Sequence, residues 1–282
     1  MIMEDDDTGK YIIASGDYQY NMNNPDEEYR LPKKLEEISG LAFWKEEILL
    51  CVEDETGFLY AYDHEKKTII EEIKFGKKGD YEGVTQLNDT AYVIKSNGKL
   101  YYFPIKDDPV VTKVNLPFSA KNDLEGITRD FDSDTLYIAC KRSADLFGRD
   151  IKGKAVYKYD IKNDSVYQEP FIHLTSDMFK KALKKVDLIP SNHMPFQPSG
   201  IAIHPITEEI FLLSSVGKLL IVINRSGELV SMVPLTRSVF RQPEGICFDD
   251  KGNLFIASEG RGWNGYILKF IVQSINNESI GQ

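Results

Sequence analysis

The sequence predicts an all-β protein. The expected form is a five-bladed β-propeller of four-stranded antiparallel blades, with one short helical insertion between the third and fourth blades. Two observations predict it. A polar or acidic residue, then Gly, then a β-forming pair recurs five times: Ser39-Gly40-Leu41-Ala42, Glu82-Gly83-Val84-Thr85, Glu125-Gly126-Ile127-Thr128, Ser199-Gly200-Ile201-Ala202 and Glu244-Gly245-Ile246-Cys247. The copies are also evenly spaced. Gly40 and Gly83 are 43 residues apart, as are Gly83 and Gly126, and Gly200 and Gly245 are 45 apart. A regular period of this length, filled with short strands, is the signature of a propeller. The 74 residues between Gly126 and Gly200 read as one repeat plus an insertion.

Residues 1–10 are acidic and are expected to be mobile. Tyr11–Ile13 and Tyr18–Met22 read as strands, and so does Glu28–Leu31, which stops at Pro32. The first repeat predicts strands at Leu41–Trp44, Ile48–Val52, Phe58–Tyr62 and Thr68–Phe75. The second predicts Val84–Leu87, Ala91–Lys95, Leu100–Phe103 and Val110–Leu116. The third predicts Ile127–Arg129, Thr135–Cys140, Ala155–Tyr159 and Val166–His173. Each run is rich in β-branched and aromatic residues and is bounded by turn formers.

The insertion, Thr175–Gln197, opens on Ser176-Asp177, a helix-cap pair. Phe179, Leu183 and Val186 then recur at helical spacing among Lys180, Lys181, Lys184 and Lys185. This predicts a short amphipathic helix packed as a lid, with its basic face in solvent; the alternative is a docking helix for an acidic partner. The fourth repeat predicts Ile201–His204, Ile210–Ser214, Leu219–Asn224 and Leu229–Leu235. The fifth predicts Ile246–Asp249, Leu254–Ser258 and Tyr266–Val272, where strand signal ends. Glu28–Leu31 lies as far before Gly40 as Val114–Pro117 lies before Gly126. The N-terminal strand is therefore expected to complete the last blade and leave no free edge at the seam.

The repeats run nearly end to end, so residues 1–282 are read as one domain. Lys and Arg number 34 against 44 Asp and Glu, a net charge of −10. That balance argues against binding a nucleic-acid backbone and suits a cation or a basic partner. No apolar run is long enough for a membrane span. Met1–Asp7 carries no signal-peptide core, which fits a cytosolic start and equally a chain whose leader or lipid anchor has been removed. Cys51, Cys140 and Cys247 sit in apolar strand runs and read as core residues rather than disulfide or metal partners. No Ser is framed as a nucleophile elbow and no Gly-rich phosphate loop opens a helix. The four histidines build no triad: His64 and His204 are assigned to the far face, His173 to a strand end, and His193 to the insertion.

In a propeller the first strand of each blade lines the axis, so the residue before each motif Gly stands near one channel mouth. Those residues are Ser39, Glu82, Glu125, Ser199 and Glu244. Glu82, Glu125 and Glu244 brought together repel, and either a proton or a cation must relieve them. No Lys or Arg falls at the five positions. All-oxygen donors favour calcium, which tolerates irregular geometry. The plainer alternative has each carboxylate bonding nearby backbone N–H groups around channel water. At the ends of the second strands Glu53, Lys95, Lys141, Ser215 and Glu259 suggest a second ring of ion pairs. Strand parity places the Lys141–Lys154 loop, with Arg142, the Thr175–Gln197 insertion, and the Gly260–Gly265 loop, with Arg261 and Trp263, on the same face as the Glu ring. Long loops beside a charged channel mouth make that face the expected binding surface for a protein or a small molecule.

Leu35-Glu36-Glu37-Ile38-Ser39-Gly40-Leu41-Ala42, Asp80-Tyr81-Glu82-Gly83-Val84-Thr85 and Gln242-Pro243-Glu244-Gly245-Ile246 resemble the SdiA-regulated, YjiK-like family of bacteria. The resemblance covers the chain from Tyr18 to Val272. It implies a five-bladed propeller distantly related to NHL repeats, a bound calcium and an extracytoplasmic setting. Pro198-Ser199-Gly200-Ile201-Ala202-Ile203 is similar to an NHL repeat, which implies protein binding. Glu82, Glu125 and Glu244 also match the calcium-holding position of propeller lactonases and esterases, whereas Ser39 and Ser199 depart from it. Two functions follow as expectations. One is a calcium-stabilised binding module. The alternative is a metal-dependent hydrolase of a small ester, lactone or phosphoester, with a nearby acid or His193 handling protons.

Overall fold

The protein's structure, a computed structural model, describes residues 12–179 and 196–275. The N-terminal acidic segment and the insertion beyond Phe179, including His193, lie outside the described residues. Runs of alternating bulky residues form the strands, and Gly, Asp and Asn form the turns between them. β1 (Ile12–Ser15) and β2 (Tyr18–Asn21) make a hairpin around Gly16, and β3 (Glu27–Arg30) follows. After a single 3-10 turn come β4 (Ile38–Lys45), β5 (Ile48–Glu53), β6 (Phe58–Asp63) and β7 (Thr68–Lys74), one antiparallel sheet. The second is β8 (Tyr81–Leu87), β9 (Thr90–Lys95), β10 (Lys99–Pro104) and β11 (Thr112–Asn115).

The third has β12 (Leu124–Arg129), β13 (Thr135–Cys140) and β14 (Lys154–Asp160). Its outer edge is split into β15 (Ser165–Val166) and β16 (Ile172–Leu174). The fourth has β17 (Gly200–Ile203), β18 (Ile210–Ser214), β19 (Leu219–Ile223) and β20 (Leu229–Pro234). The fifth has β21 (Pro243–Phe248), β22 (Leu254–Ser258) and β23 (Tyr266–Phe270), and its fourth strand is β3, with Tyr266 opposite Arg30 and Ile267 opposite Tyr29. The N-terminal strand thus takes the place that its spacing predicts.

The count of five corrects to six sheets. β24 (Gln273–Ser274) pairs with β2 and makes a three-stranded sheet, β1-β2-β24. Its apolar face, Ile13, Tyr20 and Met22, is buried with Val233, Phe248 and Phe270 from the fourth and fifth sheets and Phe240 from the link between them. Tyr20 Oη donates to the Gly252 carbonyl at 2.7 Å and lies 2.8 Å from His204 Nε2. His204 Nδ1 accepts the amides of Ile206 and Thr207, so Nε2 carries the proton, and burial lowers the ring to about 4. The sheet escaped the sequence reading because β24 is two exposed polar residues with no strand signal.

Each inner strand, β4, β8, β12, β17 and β21, touches the next, and β21 touches β4. Apolar clusters fill the gaps between neighbouring sheets. The inner strands approach at the motif glycines: a Cβ on Gly40 would lie 2.8 Å from Gly83 Cα, and one on Gly200 only 2.4 Å from the Glu244 carbonyl oxygen. Cys51, Cys140 and Cys247 are buried and free. Residues 176–179 form a helical turn. Met178 N lies 3.3 Å from Thr175 Oγ1, so Thr175 caps the first turn. Phe179 packs on Phe196, ring centroids 5.4 Å apart. Among the described residues no helix is long and apolar enough to cross a membrane.

Candidate functional site

The same backbone irregularity builds each position of the channel mouth. Ile38 faces Glu53 and Gly40 faces Val52, leaving Ser39 as an extra residue on β4. Glu82 and Glu125 are the extra residues on β8 and β12, between pairs Tyr81–Lys95 and Gly83–Ile94, and Leu124–Cys140 and Gly126–Ala139. β21 carries a matching shift between Pro243 and Ile246. Ser199 N and Gly200 both meet Leu213. A β-bulge bends its strand and re-aims a side chain. Five in register turn the residue before Gly toward the axis, where Ser39, Glu82, Glu125 and Glu244 line a space of about 10 Å³, room for about one water.

The two hydroxyls and the three carboxylates then divide. Ser39 Oγ donates to the Tyr81 carbonyl at 2.7 Å, and Ser199 Oγ donates to the Pro243 carbonyl at 2.9 Å. Each stitches its inner strand to the next one round the ring. Glu125 and Glu244 are buried and Glu82 is nearly so. Burial pushes all three carboxyls up. At Glu82 the charges of Glu125 and Asp80 add to it. Glu125 is pulled back by Lys141, and Glu244 reaches about 8 with Glu125 and Glu259 contributing.

An internal cation does enter, contrary to the expectation from the five ring positions. Lys141, the first residue after β13, places Nζ 2.5 Å from Glu125 Oε1. Burial works against the Lys141 charge, but Glu125 outweighs it and the ammonium is held above its usual range. With all three carboxylates ionised, one lysine leaves two negative charges, the complement of one divalent cation. Without an ion, burial favours protons on Glu82 and Glu244 instead. The donors are all oxygen, and such a set fits a hard ion. Among the described residues, the group of three whose ligand atoms all come within 4.8 Å of one another is elsewhere: Glu47, His64 and Glu65 on the opposite face. The carboxylates of Glu82, Glu125 and Glu244 therefore have to close by a rotamer change to share one ion.

The second ring of ion pairs reduces to that one contact. Glu53 instead accepts the amides of Glu55 and Thr56 at 2.9 and 2.8 Å and caps its own turn. Lys95 lies 5.0 Å from the Tyr81 ring centre. Ser215 N donates to Ser199 Oγ. Glu259, pushed to about 7 by burial and then by Asp54 and Glu37, accepts from Gln242, which in turn accepts from Arg261. Arg142 Nε pairs with Asp123 at 2.9 Å.

Strand parity is confirmed for the loops. The 141–153 loop leaves from Cys140 opposite Leu124, and the Trp263 loop follows Ser258 opposite Pro243. The insertion departs after Leu174, opposite Lys154, and returns at Gln197, bridged to Val216. Sequence reasoning missed Lys218, Arg237 and Arg241, which join Arg261 and Trp263 at this rim. The signal was available: the link from a fourth strand into the next blade falls on this face by the same parity, and Thr236–Arg241 is such a link.

No curated protein matches the chain. Among solved structures it is similar to a glutaminyl cyclase of Myxococcus xanthus, at TM-score 0.60 and 12% identity over 90% of this chain and 97% of that one. A luciferin-regenerating enzyme gives 0.52 at 13% identity, over 88% and 95%. A Bacteroides thetaiotaomicron protein of unknown function gives 0.53 at 16%, covering 83% of this chain and 58% of that one. Identities this low speak for the fold alone. The family model described as SdiA-regulated matches residues 16–262, and the chain belongs to that family.

Proposed function

We propose that this protein is a calcium-stabilised binding module whose ligand, a protein or a small molecule, seats on the channel-mouth face. One observation carries the reading. Two buried carboxylates and one half-buried carboxylate surround one narrow space with a single lysine among them, so a divalent cation could replace the protons that burial otherwise holds there. Calcium suits the site through its loose geometry, and weak oxygen sites of this kind fill in the extracytoplasmic setting that the family resemblance implies. An ion bound only by the folded state adds about 2.7 kcal/mol at a hundredfold excess over its Kd, which raises Tm by several degrees.

Thermal unfolding in chelator, then with calcium or magnesium restored, tests this reading. Calcium should recover Tm better than magnesium, and Glu82→Gln or Glu244→Gln should remove most of the response. A Tm indifferent to chelator would sink the ion. Enzymes share this fold, so a panel of small esters, lactones and phosphoesters tests the alternative of metal-dependent hydrolysis. Calcium-dependent turnover that Glu244→Gln abolishes would replace the binding module with a hydrolase.

A further inference from the structure

In a chain of net charge −10 one corner of the mouth face is basic. Arg237, Arg241, Arg261 and Trp263 line an open cleft of about 570 Å³. All four side chains are exposed, Trp263 to 73%. Among the described residues no carboxylate comes within ion-pair distance of the three arginines, although Glu259, beyond Gln242, is near enough for its charge to interact with that of Arg261. The nearest polar partner is Gln242, which accepts from Arg261. Lys218 lies behind them: burial, opposed by Glu244 and reinforced by Arg237 and Arg261, lowers its affinity for its proton.

The cleft is held on a braced frame. Val239 and Phe240 amides both bond the Thr236 carbonyl, closing a helical turn that projects Arg237 and Arg241 to one side. Phe240 is fully buried. Tyr266 Oη accepts the Arg241 amide at 2.9 Å and donates to the Val239 carbonyl at 2.8 Å. Across the gap, Trp263 N bonds the Gly260 carbonyl, and Asn264 Nδ2 bonds the Leu31 carbonyl at 2.7 Å. Unpaired like charges held together on fixed backbone cost stability unless an anion answers them. A guanidinium meets a carboxylate or phosphate through two parallel bonds. An exposed indole offers a flat apolar face. The volume is that of a small-molecule site.

We propose that this cleft binds a small ring-bearing anion, with Trp263 against the ring face and Arg237, Arg241 and Arg261 on its carboxylate or phosphate groups. The proposal rests on reading the mouth face as the ligand face, but it does not require the ion.

Trp263 reports on its own occupancy, because the chain has two tryptophans and Trp44→Phe removes the other. The fluorescence of that variant is titrated with digalacturonate, glucose 6-phosphate and uncharged maltose. Saturable quenching by at least one charged probe, weakened by added salt, is expected, with maltose silent. Whichever charged probe quenches identifies carboxylate or phosphate as the group recognised. Arg237→Gln and Arg241→Gln should each weaken binding about tenfold or more with Tm unchanged, since both side chains are exposed. Silence from both charged probes, equal quenching by maltose, or titrations indifferent to the arginine variants overturns the proposal. The chelator experiment is independent, so failure of the cleft leaves the ion reading standing, and the reverse also holds.

Discussion

Lys141 Nζ lies 2.5 Å from Glu125 Oε1, so the residue that follows β13 supplies the counter-charge for the carboxylate that the bulge in β12 turns inward. That pair and a metal compete for the same oxygens. Lys141→Gln should therefore do two opposite things. In chelator it leaves Glu125 buried beside Glu82 and Glu244 with no cation, costing about 3 kcal/mol. In calcium it should tighten ion binding, and the added stability should recover most of that loss. Urea unfolding with and without calcium reads both effects, and a calcium affinity unchanged by the substitution would show that Lys141 and the ion do not share a site.

The buried carboxyls also set a pH dependence. Glu244 is raised from 4.5 to about 8 by burial and neighbouring carboxylates, and Glu82 is raised for the same reasons. A group whose folded pKa is raised holds its proton in the folded state while the unfolded chain has released it. Stability from it is present below the unfolded value and is lost as pH rises through the folded value. In chelator, Tm should fall between about pH 5 and pH 8. Calcium should flatten the fall, since ionised carboxylates bind it best. A metal-free Tm that rises steadily over that window would contradict the burial of these groups as acids.

The ring of motif glycines makes a ranked prediction. Gly200→Ala pushes a Cβ to 2.4 Å from the Glu244 carbonyl oxygen, which is backbone and cannot step aside. Gly83→Ala meets Ile127 N at 3.1 Å and needs a smaller shift. The first should cost about 1–3 kcal/mol by overpacking, and the second less. Denaturant midpoints give the order directly.

Removing residues 1–31 takes away the β1–β2 hairpin that covers part of the core as well as β3, and leaves β23 with an unpaired edge. Free edges recruit other chains. The shortened protein should elute from size exclusion with light scattering as oligomers or aggregates, whereas removal of residues 1–11 should leave a species of the full-length hydrodynamic behaviour.

The repeats were legible because their signals are local. Each motif Gly marks an inner strand, each turn residue a boundary, and counting strands from the Gly located the long loops at the mouth. The seam strand was found from spacing alone. What escaped was non-local or silent in composition. Gln273 and Ser274 carry no strand signal, so the sheet they complete stayed hidden. Ser39 and Ser199 stand at the ring positions, but that each hydroxyl bonds a carbonyl 42 or 44 residues away was not legible. Lys141 was placed near the mouth, but its reach to Glu125 depends on a rotamer. Arg237 and Arg241 sat in a link whose face was known and whose side chains drew no attention.

The pairing of β3 with β23 joins Tyr29 to Ile267 across almost the whole chain. A ribosome therefore releases the first half of this clasp long before the second exists. Until Tyr266–Phe270 emerges, Glu27–Arg30 has no partner, and Tyr29, fully covered in the finished protein, faces water. The other four axial sheets draw their strands from consecutive sequence and can form in order as synthesis proceeds. Closure of the ring thus has to wait until nearly the whole chain is made, and the β2–β24 pairing that covers it comes later still.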